Sequence, residues 1–166
     1  MTESLPSKVF TVEEVNRLIG TMETVMAEIE RLGNQVERHT MQLQILDALW
    51  GPKLLDGENP DHAEFTEHQA GVDRAVERIQ GLVLDEILDR SIRFPPGGLK
   101  YGLLDFPTTL DGRWVYLCWQ ADEPEVAYWH EVSGGYAGRR RITAGQMQRL
   151  GRLDDPARHE DSALDF

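Results

Sequence analysis

Apolar side chains recur every seven positions at Val15, Met22, Ile29, Val36, Leu43 and Trp50. A second series, Leu18, Val25, Leu32, His39 and Leu46, interleaves three residues later, with His39 its one polar member. A period of about 3.5 residues held over that distance is the pattern of a coiled-coil seam. Thr11 and Glu14 have the spacing of a capping box, and Phe10 and Val15 that of a hydrophobic staple, so the helix is expected to begin there. Gly20 and Gly33 lie inside it, each costing about 1 kcal/mol against Ala, and Gly20 is the weaker point. Gly51-Pro52 ends the helix, and Asp56-Gly57-Glu58-Asn59 is turn chemistry.

Asn59-Pro60 restarts a helix, with Asn as N-cap and Pro in the first turn. Phe65, Gln69, Val72, Val76, Ile79 and Val83 form one stripe on it, and it is expected to run to about Arg90 before Pro95-Pro96-Gly97-Gly98 closes it. The short connection makes the two helices an antiparallel hairpin. The pattern then changes. Gly102–Phe106, Arg113–Trp119 and Val126–Glu131 are β-branched and aromatic runs separated by Asp111-Gly112 and Asp122-Glu123-Pro124. Arg139–Ile142 offers a fourth strand, and Thr143 can cap a short helix through about Leu153.

The chain therefore reads as α+β. A long antiparallel helical hairpin (10–92) is followed by a three- to four-stranded antiparallel β-meander (100–142) and a short C-terminal helix (143–153). These make one domain over 1–153, with a mobile acidic tail at 154–166. Symmetrical closure of the hairpins puts Leu104, Phe106, Val115, Leu117, Trp119, Tyr128 and His130 on one face of the sheet. Leu103, Asp105, Trp114, Tyr116, Cys118, Trp129 and Glu131 then share the other.

Helix length bears on assembly. About 39 residues span about 58 Å at 1.5 Å per residue, while a compact chain of this size has a radius of gyration of about 15 Å. An unbroken first helix thus leaves part of its seam uncovered by the second. A homodimer through helix 1 is the expected consequence, provided the helix does not break at Gly20 or Gly33.

Composition narrows the classes of function. The 166 residues carry a net charge of −12, with 40% hydrophobic and 28% charged residues, ordinary for a globular chain with a real core. That charge argues against nucleic acid and against anionic membrane surfaces as partners. Cys118 is the single cysteine, so no intrachain disulfide can form. The first ten residues lack a basic region followed by an apolar run, and a cytoplasmic location is expected. The charge is also uneven: Val132–Leu153 holds no Asp or Glu but five arginines, Arg139, Arg140, Arg141, Arg149 and Arg152.

Three groups of residues carry candidate chemistry. Gly134 and Gly135, followed by Arg139 and Arg140 with Arg113 nearby, have the makings of a cradle for a small anion, Arg139 foremost. The alternative is that these arginines meet the chain's own acidic helices or the tail at Asp154-Asp155 and Glu160-Asp161. Asp105, Arg113, His130 and Glu131 are candidates for an acid–base cluster, weighed against a structural Asp105–Arg113 ion pair with His130 as a core histidine. Cys118 on a central strand reads as a small buried hydrophobe rather than a nucleophile. A layer of His39, Gln42, His68 and Gln69 can hold a divalent ion, but a polar layer that fixes register is the preferred reading. No metal and no cofactor are expected.

With GLLDFP, LCW, YWHE and GGYAGRR in view, the chain resembles the bacterial family catalogued as domain of unknown function 2203. The resemblance rests on Phe10, Thr11, Glu13, Glu14, Asn16 and Leu18, then Gly102–Pro107, Gly112–Trp119, Trp129–Glu131 and Gly135–Arg139. It departs from the family pattern at Pro95-Pro96-Gly97-Gly98, where a Lys-Asp pair is usual, and at Gly20, where a Pro often stands. It implies a fold and no reaction. The leading expectation is a non-catalytic dimeric binding or interaction module. The alternative is a small enzyme acting on an anionic metabolite through Asp105, His130 and Arg139.

Overall fold

The computed structural model describes residues 8–152. The element order is α1 (Val12–Trp50), α2 (His62–Leu82), β1 (Leu103–Leu110), β2 (Arg113–Gln120), β3 (Tyr128–Glu131), β4 (Arg140–Arg141) and α3 (Ala144–Met147). This is the expected α+β architecture of two helices, an antiparallel sheet and a short last helix. The acidic tail lies outside the described residues. The chain divides into two compact units, one of residues up to Met26 with those from Ile87 onward, the other Ala27–Glu86. Among the described residues no helix is long and apolar enough to cross a membrane.

Helix α1 starts where the capping box puts it. The Thr11 hydroxyl accepts from the Glu14 amide at 3.2 Å, and the Glu14 carboxylate accepts from the Thr11 amide at 3.3 Å. It runs unbroken through Gly20 and Gly33 for 39 residues. Up to Met26 its buried residues are Val12, Val15, Ile19, Met22, Val25 and Met26. That stripe has the 3.6-residue period of an ordinary amphipathic helix, not the tighter heptad seam. Ile19 and Met26 are therefore buried although neither belongs to the seam.

In the Ala27–Glu86 unit the seam does hold. Leu32, Ala75 and Leu82 are buried with Ile29, Val36 and Ile79 packed around them. The Trp50 indole donates to Asp61 at 2.7 Å and pins the turn between the helices. Asn59 and Pro60 precede α2 rather than cap it: the Asn59 side chain accepts from the Asp61 amide at 2.9 Å, and the helix begins at His62. At its other end α2 loosens into a wide π-type turn at Val83–Ile87 and stops at Ser91, whose φ is 68°.

The sheet has the order β1-β2-β3-β4, antiparallel throughout. Asp111 and Gly112 close the first hairpin with φ of 51° and 84°, the two positive values a tight two-residue hairpin turn requires. Phe10 runs along the outer edge of β1, its amide donating to the Pro107 carbonyl at 2.9 Å and its carbonyl accepting from the Thr108 hydroxyl at 2.6 Å. Pro107, which has no amide to give, thus sits on an edge strand, where it is tolerated.

One expectation about the sheet is corrected. Asp105 pairs with Cys118, Cys118 with Tyr128, and Tyr116 with His130, so these side chains share one face. Trp129 and Glu131 belong with Leu104, Phe106, Val115, Leu117 and Trp119 on the other. The expected faces required an even-numbered connection after β2. The observed one is odd, and a one-residue slip exchanges every side chain of β3 between faces. Glu123 fixes it, its carboxylate accepting from the Gln120 amide at 2.6 Å and its carbonyl from the Trp119 indole at 2.9 Å.

Candidate functional site

That register gathers Asp105, Cys118 and His130 from three adjacent strands. They are 5%, 2% and 2% exposed. His130 Nε2 lies 3.0 Å from Asp105 Oδ1, and its Nδ1 donates to the Glu131 carbonyl at 2.6 Å. A carbonyl only accepts, so Nδ1 carries a proton, and the contact with Asp105 needs a second. Burial alone would lower the His130 pKa. The hydrogen bond and charge of Asp105, with the Glu131 carbonyl, outweigh it and raise the pKa above its usual value. The pair thus shares one proton across the Nε2–Oδ1 contact.

Cys118 is held in the opposite sense. Burial, and then the negative charge of Asp105, push its pKa up to about 12, against the opposing pull of Arg139. It is a neutral thiol at physiological pH, which matches the sequence reading of Cys118 as a buried, unreactive side chain.

Arg139 reaches this cluster from the segment after β3. Its guanidinium pairs with the Glu123 carboxylate and donates to the Cys118 carbonyl at 3.3 Å. It also stacks over Tyr128 at 4.1 Å and Tyr136 at 5.2 Å. Two more arginines of the acid-free stretch meet acids of the same unit: Arg152 with Glu13 at 2.7 Å and Arg149 with Asp111 at 3.5 Å. Arg140 and Arg141 are exposed, over Trp129 and Tyr128.

The other candidates fall elsewhere. Arg113 pairs with Glu131 at 2.8 Å and Asp105 with His130, so neither the four-residue acid–base cluster nor the Asp105–Arg113 pair forms. The reason is the sheet face: Arg113 and Glu131 stand opposite to Asp105 and His130. Gly134 and Gly135 build the turn that follows β3, Gly135 at φ of 56°. The amides of Gly134, Gly138 and Arg139 are all spent on carbonyls of that segment.

The histidine layer of the helical unit is present in part. His39 Nδ1 and His68 Nδ1 are 2.9 Å apart, and His68 Nε2 is 3.6 Å from Glu64. They line an open groove of about 570 Å³ together with Gln35, Arg38, Gln42 and Arg74. Each ring spends its Nδ1 on the other, a register contact rather than a ligand set, and Gln69 does not line the groove. Sequence spacing missed Arg38 and Arg74, which lie off the apolar stripes it followed.

The segments that carry the resemblance thus meet at one place, GLLDFP giving Asp105, LCW giving Cys118, YWHE giving His130 and GGYAGRR giving Arg139. Compared with protein-family models, residues 8–142 match that of an uncharacterized conserved protein family, DUF2203. No curated protein and no solved structure matches the chain.

Proposed function

The chain belongs to this uncharacterized DUF2203 family, and on that premise we propose that it is a non-catalytic interaction module of the bacterial cytosol, working as a homodimer. One observation carries the reading. Met41, Ile45 and Leu49 on α1 are 61%, 52% and 68% exposed, and Leu55 beyond them 74%. Residues four apart form a continuous ridge on a helix, and large exposed apolar patches mark interaction surfaces.

The occupant proposed is a second copy of the same ridge. Two antiparallel copies crossing at Ile45 set Met41 against Leu49, and they bring exposed Glu37 of each toward exposed Lys53 of the other. Such self-complementarity is what a two-fold interface demands. The ridge differs from the seam from which a dimer was expected, because α2 covers part of that seam.

The enzyme reading through Asp105, His130 and Arg139 has the Asp105–His130 hydrogen bond in its favour. Against it stand the burial of that pair and the commitment of Arg139 to Glu123. Light scattering at tens of micromolar tests the module. A dimer mass is expected, with Ile45→Glu giving a folded monomer because it places a charge at the crossing point. A monomeric wild-type chain rejects the proposal.

A further inference from the structure

We propose that Asp105, Cys118 and His130 form a binding site for one zinc-like divalent cation. The three residues offer a carboxylate oxygen, a sulfur and an imidazole nitrogen, and these atoms all lie within 4.8 Å of one another. Tetrahedral zinc with bonds of about 2.0–2.3 Å holds its ligand atoms about 3.3–3.6 Å apart. The contraction needed is at most about 1.5 Å, within the reach of small side-chain rotations on a fixed backbone. An oxygen, nitrogen and sulfur set is borderline-soft, which suits zinc and disfavours magnesium or calcium.

The surroundings match what a ligand set needs. A metal-bound histidine normally donates its other ring N–H to a carbonyl or carboxylate, which fixes the ring. His130 does so through Nδ1 to the Glu131 carbonyl, leaving Nε2 aimed at Asp105. Asp105 is held at its backbone on both sides: its amide and carbonyl pair with Arg93 at 2.7 and 2.8 Å, and β2 lies opposite. Cys118 lies on the strand between the other two ligands, paired with β1 and β3. Rigid strands, not loops, place all three donors.

The charges balance as well. The cation enters with two positive charges and displaces two protons, one from the Nε2–Oδ1 contact and one from the thiol. The product is a neutral centre of metal, thiolate and carboxylate, beside an Arg139 already neutralised by Glu123. Three protein ligands leave one coordination position for water or an anionic oxygen.

The test uses the full chain without an affinity tag, stripped by a chelator and titrated with cobalt(II). Cobalt reports its own ligands: a thiolate gives a charge-transfer band in the near ultraviolet, and tetrahedral geometry gives intense visible bands. Cys118 is the single cysteine, so any thiolate band is assigned to this site. One cobalt per chain with that band is expected, displaced by zinc. Cys118→Ala is expected to lose the band and at least about a hundredfold in affinity, more than loss of an outer-shell partner costs. Asp105→Asn is expected to keep the band but bind more weakly. Should Cys118→Ala fail to fold in chelator, the wild-type band alone decides. Absence of a thiolate band from folded wild type overturns the proposal. So does cobalt bound only through nitrogen and oxygen and lost on His39→Gln, which would place the ion in the histidine groove.

Discussion

His39 occupies the space that a side chain at Gly71 would need: a Cβ built at position 71 would stand 2.5 Å from His39 Nε2. The glycine is there for the ring, and the ring in turn meets His68 at 2.9 Å. Gly71→Ala is therefore expected to push His39 off His68 and cost about 1–2 kcal/mol, the range for overpacking offset in part by the better helix propensity of Ala. In a His39→Ala background the clash is gone, and the same substitution is expected to stabilise by up to about 1 kcal/mol. Thermal unfolding of the four proteins of this cycle tests the relationship through its change of sign.

The start of α1 gives a prediction with a pH signature. Thr11→Ala removes the cap hydroxyl and is expected to cost about 0.5–2 kcal/mol. Partial burial alone would raise the Glu14 carboxyl, but Lys8 and Thr11 together hold it below its usual 4.5. A carboxyl depressed in the folded state stabilises above its unfolded pKa, and that stability is lost as pH falls through the folded value. Glu14→Gln is expected to lower stability near neutrality, where the carboxylate contributes, and to converge with wild type as pH falls below about 4.5, which shallows the acid limb of the stability–pH profile. An acid limb as steep as that of wild type contradicts the assignment.

Arg139 supplies the third. Because its guanidinium is committed to Glu123, Arg139→Ala is expected to cost about 1.5–3 kcal/mol, the range for hydrogen bonds to charged groups. Phosphate or citrate should then stabilise the wild-type chain no more than chloride at matched ionic strength. A thermal shift with either anion that vanishes in Arg139→Ala would instead make Arg139 an anion-binding residue.

The helices and both ends of α1 were legible in the sequence because their signals are local, whereas α2 begins at His62 and not on the Asn59 cap expected of it. A capping box, a Gly-Pro stop and an Asp-Gly hairpin turn act within a few residues. The face of β3 was not, since it depends on the parity of a loop closed by Glu123, whose carboxylate also meets Arg139 across 16 positions. Cys118 read correctly as buried, but alone. Its neighbours Asp105 and His130 joined it only once the register was known. The ridge at Met41, Ile45 and Leu49 escaped for a different reason. Counting a heptad seam finds one stripe, and the distal half of α1 carries two.

The odd connection between β2 and β3 has a further consequence for inheritance. Deleting a single codon between Ala121 and Ala127 would turn His130 out of the cluster and bring Trp129 and Glu131 to its face, with every site residue still encoded. Two relatives with the same Asp, Cys and His can therefore differ in whether those residues ever meet. For this fold, gaps in a comparison of genes carry as much information about the site as the letters do.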